Sequence, residues 1–306
     1  MENFKIYEEL SKIISKEQLT KDEIMKRHTT FCIGGKADFF IEARTEKDIT
    51  NTYRFAKENN IPCYVIGKGS NLLVKDNGIR GIVIQNKYKN IEILEETDDE
   101  MILQVASGTT LLSLANFALK NGLEGLEFSY GIPGSFGGAV RMNAGAYGGE
   151  MKNCVRESLC LNSNGDLITL TIDEHGFRYR NSTIAENGMI VLHSKIALKK
   201  GDKVKIKEEM DKNMKARLDK QPYNMHSAGS TFKRGDGFIT AAVIDEAGLK
   251  GYRNGNVLVS FKHAGFVVNA GGGTAKEVLD LIKYIKEKVK TDLGKDLEEE
   301  IVIIGE

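Results

Sequence analysis

In the stretch Gly131-Ile-Pro-Gly-Ser-Phe-Gly-Gly-Ala-Val-Arg-Met-Asn-Ala-Gly-Ala-Tyr-Gly-Gly149, glycine or alanine fills about half of the positions. A chain gives up side chains on this scale where its backbone must turn through positive φ or approach something closely. Flexible linkers of this glycine content are polar and serine-rich, whereas Ile132, Pro133, Phe136, Val140 and Met142 form an apolar frame here. The stretch reads as an ordered backbone wall against a large flat ligand or its phosphates, with peptide N–H groups as donors.

A second glycine cluster, Ile66-Gly-Lys-Gly-Ser-Asn-Leu-Leu-Val74, follows the apolar run Cys63-Tyr-Val-Ile66. A strand feeding such a loop suits a pyrophosphate, since free N–H groups and the Ser70 and Asn71 side chains can all donate. It is not a dinucleotide-fold fingerprint: the third glycine position is Leu72, and the turn Asp76-Asn77-Gly78 follows where a helix should open.

Three further positions carry chemistry on weaker local signals. Ser230, in Ala228-Gly-Ser-Thr-Phe232, lacks the G-x-S-x-G elbow, and no histidine pairs with it by spacing, so a triad hydrolase is a poor reading. Arg180, in Tyr179-Arg-Asn-Ser182, reads alone as a surface salt-bridge partner. Glu298, Glu299 and Glu300 read as solvated acids, with strand alternation placing Glu298 and Glu300 on one face. The five histidines show no metal-binding spacing, so no metal site is expected.

Taken together and in this order, the two glycine loops resemble the flavin-binding half of the UDP-N-acetylenolpyruvoylglucosamine reductase (UDP-N-acetylmuramate dehydrogenase) family. The resemblance runs from Arg27-His-Thr-Thr-Phe-Cys-Ile-Gly-Gly35 through both loops and Tyr179–Ser182 to Ala228–Lys233 and Leu297–Ile301. It implies an α+β fold: a two-lobed FAD-binding domain of the PCMH/vanillyl-alcohol-oxidase type, then a smaller α+β substrate-binding domain. It also implies non-covalent FAD and NADPH as hydride donor. FAD contacts are expected first from Gly67, Lys68, Gly69, Ser70, Asn71 and Leu72. The second loop is expected to add Gly131, Ile132, Pro133, Gly134, Ser135, Gly138, Ala139, Asn143 and Gly145.

The implied reaction has two halves at one flavin face. NADPH first reduces FAD. UDP-N-acetylglucosamine enolpyruvate then takes hydride at its β-carbon, Ser230 protonates C2, and Arg180 and Glu300 stabilise the enolate-like carboxylate end. The product is UDP-N-acetylmuramate, a peptidoglycan precursor. The family's proline between two glutamates is Glu299 here, so the choice of Glu300 rests on the flanking Leu297 and Ile301. Arg217 and Lys220 are candidates for the diphosphate, although the exposed face of a charged helix explains them nearly as well. Lys250, Tyr147, Tyr179 and Asn269 are further substrate-contact candidates. A related flavin oxidase or a non-catalytic UDP-sugar binding protein are the alternatives. The first would lack the Arg180, Ser230 and Glu300 set, and the second would lack flavin.

Composition is compatible with this and excludes other classes. Forty-three basic residues balance forty-three acidic ones, which argues against a general nucleic-acid or anionic-membrane binder. Cys32, Cys63, Cys154 and Cys160 show no C-x-x-C spacing, and Met1-Glu-Asn-Phe-Lys has no apolar signal segment. Reduced thiols and a cytoplasmic location are expected, with small-molecule partners and no membrane insertion.

The elements that must position these groups follow from periodicity. A helix is expected over 3–19, with Phe4, Leu10, Ile13 and Ile14 on its apolar face. Strands follow at Ala37–Ala43 and Tyr64–Ile66, around a helix opened by Thr45 with Asp48. Short β runs fill 81–105, an amphipathic helix spans Thr110–Asn121 before Gly122, and three strands lie between 155 and 198. Lys203–Lys220 is a charged helix that marks a domain boundary, and Val278, Leu281, Ile282, Ile285 and Val289 stripe a long helix near the C-terminus. The expected domains are 1–200, with lobes about 1–78 and 79–200, and 201–306, with the final strand Ile301–Ile304 returning to the first lobe. Only fifty residues separate Arg180 from Ser230, too few for the tyrosine-bearing insertion some family members carry.

Overall fold

In the computed structural model, which describes residues 2–306, the chain divides into two compact units. The first comprises residues up to Thr20, Phe39–Gly67 and Ile82–Ala216; the second comprises Lys21–Asp38, Lys68–Gly81 and Arg217–Glu306.

Two sheets lie wholly or mainly in the first unit, residues 21–24, 36–38 and 79–81 of the first being counted with the second unit. In one, Cys63–Ile66 lies parallel to Ile79–Asn86, which neighbours Lys36–Ala43, and Leu19–Ile24 forms the far edge. Helix Glu46–Glu58 opens with a capping box in which Thr45 and Asp48 exchange side-chain-to-backbone bonds. It buries Ile49, Tyr53 and Ala56 beside Phe39, Ile41, Ile82 and Ile84. The other sheet is antiparallel, in the order Leu167–Thr171, Val155–Leu161, Ile190–Lys200, Glu100–Ala106, Ile91–Glu96. Its apolar face packs with Leu111, Leu114 and Ala118 of helix Leu111–Asn121 and with Phe136 and Val140 of the glycine stretch. Thr110 caps that helix, and Gly122 ends it at φ 65, a left-handed value glycine adopts without a Cβ penalty.

The second unit centres on helix Ala275–Leu293, whose Val278, Leu281, Ile282, Ile285 and Val289 are buried with Phe31, Ile33, Phe232, Leu297 and Ile301. Beside it lies the antiparallel sheet Arg253–Asn254, Val257–Val259, Val267–Asn269. Val302–Ile304 pairs parallel with Leu72–Val74.

Several expectations are corrected here. The first helix stops at Ile13, a 3-10 turn at Lys16–Gln18 takes the place of its last turns, and a strand begins at Leu19; Phe4 is exposed. The compact units do not divide at 200/201. Helix Lys203–Lys220 forms as expected, but Ile206 and Met210 pack with Ala115, so the helix belongs to the first unit as far as Ala216. The strand Leu72–Val74 falls in the second unit, where the C-terminal strand pairs with it. Between residues 181 and 229 lie the turn of helix Thr183–Glu186, the strand Ile190–Lys200 and the charged helix. No described helix is long and apolar enough to cross a membrane.

Candidate active site

The glycine stretch is held by its own backbone. Phe136 N–H donates to Thr109 O at 2.7 Å and Gly137 N–H to Ser107 O at 2.8 Å, which pins the short helix Phe136–Arg141 to the turn before Leu111. A Cβ on Gly137 would lie 2.5 Å from the Ser107 Cβ, so this approach requires glycine. A Cβ on Gly67 would lie 2.0 Å from the Ser135 hydroxyl, and one on Gly138 3.3 Å from the same atom. Ser135 is therefore where the first glycine of the upstream loop meets the downstream stretch. Leu111 N–H donates to Gly134 O and Ile132 N–H to Ser129 O, while Pro133 and Gly138 are exposed. Ala139 N–H closes the first helical turn on Ser135 O.

The upstream loop offers donors. Among the described residues, no protein acceptor takes the main-chain N–H groups of Lys68, Gly69 or Ser70. Gly69 adopts φ 64 and is buried against His28 O, where a Cβ would lie 2.1 Å away. A run of unshared N–H groups on a glycine-rich turn after a strand fits a diphosphate. The residues present thus fit FAD.

Two asparagines of these loops bond to the protein through their side chains. Asn143, buried at φ 44, donates to Glu150 Oε2 at 2.6 Å and Arg178 O at 3.1 Å, and its Oδ1 accepts from Lys152 N–H. Its amide is consumed in folding the stretch back on itself. Asn71 points its amide at Glu300 O, 3.0 Å away, and Leu72 opens the strand paired with Val302.

Arg180 stands at the tip of a tight turn. Arg178 and Asn181 exchange main-chain hydrogen bonds at 3.0 and 3.2 Å, and Arg180 takes φ 53, uncommon for a non-glycine residue. Its Nη2 donates to Gly145 O at 2.8 Å and its guanidinium lies 5.1 Å from the Tyr179 ring centroid. Tyr147 also takes a left-handed φ, 50, and both tyrosines are exposed. Nearby Arg141 reaches Ala185 O at 3.4 Å, and burial holds its pKa below the ordinary arginine value.

Ser230 and Glu300 lie on paired segments of the second unit. Glu300 N–H donates to Thr231 O, and Lys233 N–H to Glu298 O, both at 2.8 Å, with Phe232 bridged to Glu299. The residue after Ser230 is therefore hydrogen-bonded to Glu300 itself. Buried Thr231 is fixed from both sides: its N–H donates to Gly265 O at 2.8 Å and its hydroxyl accepts from Val267 N–H at 3.0 Å. The half-buried Ser230 hydroxyl bonds to no protein group among the described residues. Gly229, at φ 78 with nothing within 4 Å of a built Cβ, supplies the turn before it. Of the two neighbours, Glu298 binds Lys233 at 2.5 Å and Glu299 binds Lys286 at 2.9 Å.

The remaining candidates scatter. Arg217 is buried and donates to Gln221 Oε1 at 3.3 Å, so it does not lie on the exposed helix face. Lys220 is exposed, and Lys250 pairs with Asp245 at 2.5 Å. Asn269 is held within the fold. It is buried, its Nδ2 donates to Phe31 O at 3.0 Å, and its Oδ1 accepts from Gly271 and Gly273. The sequence reading missed Thr231, Lys233 and Lys286, because only long-range strand register reveals what they hold.

Comparison with known proteins agrees along the whole chain. Residues 37–171 match an FAD binding domain family, and residues 221–304 match the C-terminal domain of UDP-N-acetylenolpyruvoylglucosamine reductase. Proteins named UDP-N-acetylenolpyruvoylglucosamine reductase are similar over 306 residues. The one from Clostridioides difficile is 45% identical, covering 100% of both chains. The one from Staphylococcus aureus is 42% identical, covering 100% of this chain and 98% of that one. The solved structure of the Thermus caldophilus enzyme of the same name superposes with a TM-score of 0.79 at 33% identity, over 92% of this chain and 98% of that one. With a family match at both ends and full-length relatives well above 30% identity, the chain belongs to the UDP-N-acetylenolpyruvoylglucosamine reductase family.

Proposed function

We propose that this protein reduces UDP-N-acetylglucosamine enolpyruvate to UDP-N-acetylmuramate with NADPH, through non-covalently bound FAD, in peptidoglycan precursor synthesis. Bound FAD supplies the hydride relay from NADPH to the β-carbon of the enolpyruvyl group. The chain's own residues supply position, charge and a proton. Lys68, Gly69 and Ser70 donate N–H groups to the diphosphate, and exposed Gly138 leaves room for the cofactor. Arg180, braced on Gly145, binds the enolpyruvyl carboxylate and draws charge toward it as the enolate develops.

Ser230 gives its proton to C2. A hydroxyl of ordinary acidity can do this because the carbon centre left after hydride addition is far more basic than water. Glu300, one hydrogen bond from the neighbour of Ser230, stabilises the same end. Arg217, Lys220, Lys250, Tyr147 and Tyr179 remain candidates for the sugar-nucleotide, of which exposed Lys220, Tyr147 and Tyr179 are the better placed. Nucleotide-sugar and NADPH as partners imply work in the cytoplasm, without nucleic acid or membrane insertion.

The observation that carries this reading is the Thr231–Glu300 hydrogen bond, which puts the proposed proton donor and carboxylate on adjacent paired segments. The test uses purified protein. Acid precipitation should release all flavin to the supernatant, NADPH should bleach its absorbance, and the enolpyruvyl substrate should restore it with formation of UDP-N-acetylmuramate. A colourless protein, flavin retained in the pellet, or recovery only with oxygen would reject the reading.

A further inference from the structure

We infer that Asn71 is a positioning residue for Glu300, and that its side chain does not serve the cofactor. By sequence Asn71 belongs to the diphosphate loop, where an amide next to Ser70 would be expected to face a phosphate. In the structure its Nδ2 donates to Glu300 O at 3.0 Å, and its own carbonyl accepts from Val302 N–H at 2.8 Å. One residue thus grips the chain on both sides of Ile301. Since Glu300 O can only accept, the amide nitrogen must face it, which fixes the orientation of the side chain.

The other polar main-chain group of Glu300, its N–H, is bonded to Thr231 O at 2.8 Å. Both backbone groups of Glu300 are therefore held, one by the neighbour of Ser230 and one by Asn71. The regular strand begins only at Val302, so residue 300 has no strand ladder of its own on that side. The Asn71 amide takes that place. A loop read as a phosphate cradle also sets the carboxylate that works at the enolpyruvyl end, and the inference rests on that reading of Glu300.

The test compares Asn71→Ala and Asn71→Asp with Glu300→Gln in the holoenzyme. Neither Asn71 variant touches the main-chain bond to Val302 N–H, so the parallel pairing of Leu72–Val74 with Val302–Ile304 is kept. Both should retain flavin and bleach with NADPH at a rate within about twofold of the parent. Recovery of flavin absorbance on adding the enolpyruvyl substrate should slow by about 10- to 100-fold, the scale of a small misplacement of a working group. Asn71→Asp should be the slower, because it sets a carboxylate against a carbonyl. The readout that separates positioning from general support is a double-mutant cycle: Asn71→Ala added to Glu300→Gln should cost little more than Glu300→Gln alone. Additive losses, loss of flavin, equal slowing of both halves, or no slowing would overturn the inference. If Glu300→Gln itself leaves recovery unchanged, the role of Glu300 fails first, and that result is distinct from a failure of Asn71.

Discussion

The glycine stretch and the Ser230 region are held in opposite ways. From Ala139 to Met151 the stretch closes largely on itself, with Ala144 N–H returning to Ala139 O at 2.8 Å, Met151 N–H to Ala144 O at 3.0 Å, and Asn143 to Glu150 at 2.6 Å, while Phe136 and Gly137 anchor it to Thr109 and Ser107. Around Ser230 nearly every bond is long in sequence. Thr231 meets Gly265 and Glu300, Thr30 Oγ1 donates to Ser227 O at 2.7 Å, and Asn269 donates to Phe31 O. A locally closed cradle keeps its shape through residue type, chiefly glycine. An acid pair brought together across the chain keeps its shape through register. Substitutions should therefore act differently: in the cradle through space, around Ser230 through chemistry.

The largest effect should come from Ser230→Ala, which tests whether the second region acts only in the second half-reaction. Bleaching of flavin by NADPH needs no proton on carbon and should stay near the parent rate. Recovery with the enolpyruvyl substrate should fall by about 10²- to 10⁴-fold, the usual value of a positioned general acid. Stopped-flow absorbance of each half, with D₂O to follow the proton, provides the measurement. Arg180→Ala should slow the same half by about 10²-fold, with weaker substrate binding, because it removes a carboxylate contact made before the transition state. Equal slowing of both halves in Ser230→Ala would make the serine a packing or flavin-positioning residue and dissolve the contrast.

Smaller effects should separate two kinds of glycine within the cradle. Gly137→Ala places a methyl 2.5 Å from the Ser107 Cβ and should destabilise the protein by about 1–3 kcal/mol through overpacking. Gly138→Ala meets only the Ser135 hydroxyl, at 3.3 Å, and should leave flavin-free stability unchanged or raised by about 0.4–1 kcal/mol. If Gly138 lies against the cofactor, this second variant should still bind FAD more weakly. Melting with and without added FAD reads both. Equal FAD affinity in Gly138→Ala would move the cofactor away from that glycine.

The smallest effect concerns acid. His175 is fully buried, with Nδ1 donating to Thr171 O at 2.6 Å and Nε2 accepting from Ser158 Oγ at 2.7 Å, and burial holds its pKa below 6.5. The unfolded chain then binds its proton more readily than the folded one. The stability from neutral His175 is complete above about pH 6.5 and is lost as pH falls through that value toward the lower folded-state pKa. Melting temperature should decline over this window, and less so in His175→Gln. His175 O also accepts from Thr183 N–H at 2.8 Å, just beyond the Arg180 turn. Hydrogen exchange should therefore show the Arg180 segment loosening before the Ser230 segment; simultaneous loosening would argue that the two regions share one stability.

Much of the frame was legible because its signals are local. The Thr45–Asp48 box, the Thr110 cap with Gly122, and the apolar stripe from Val278 to Val289 each sit where spacing placed them. The first helix was overextended because Ile14 keeps helical spacing, although the chain turns extended there, at ψ 145. The loop bonds made by the Asn143, Asn71 and Asn269 side chains were not legible, because asparagine in a glycine-rich loop satisfies either a ligand or the loop itself. Nothing in the sequence separates these. The side on which helix Lys203–Lys220 packs was not legible, because composition marks where the helix begins but not what Ile206 and Met210 pack against.

The sequence by itself determined the cradle, since glycine's freedom at positive φ and its lack of a Cβ are properties of single residues and survive any tertiary context. What each of three adjacent glutamates bonds to was decided only by the tertiary structure. Alternation leaves Glu298 and Glu300 equivalent, whereas in the fold Lys233 pairs with Glu298, Lys286 pairs with Glu299, and the Thr231 carbonyl receives Glu300 N–H. Strand register is a property of pairs of segments, and no window of the chain that ends before residue 300 contains both members of this one.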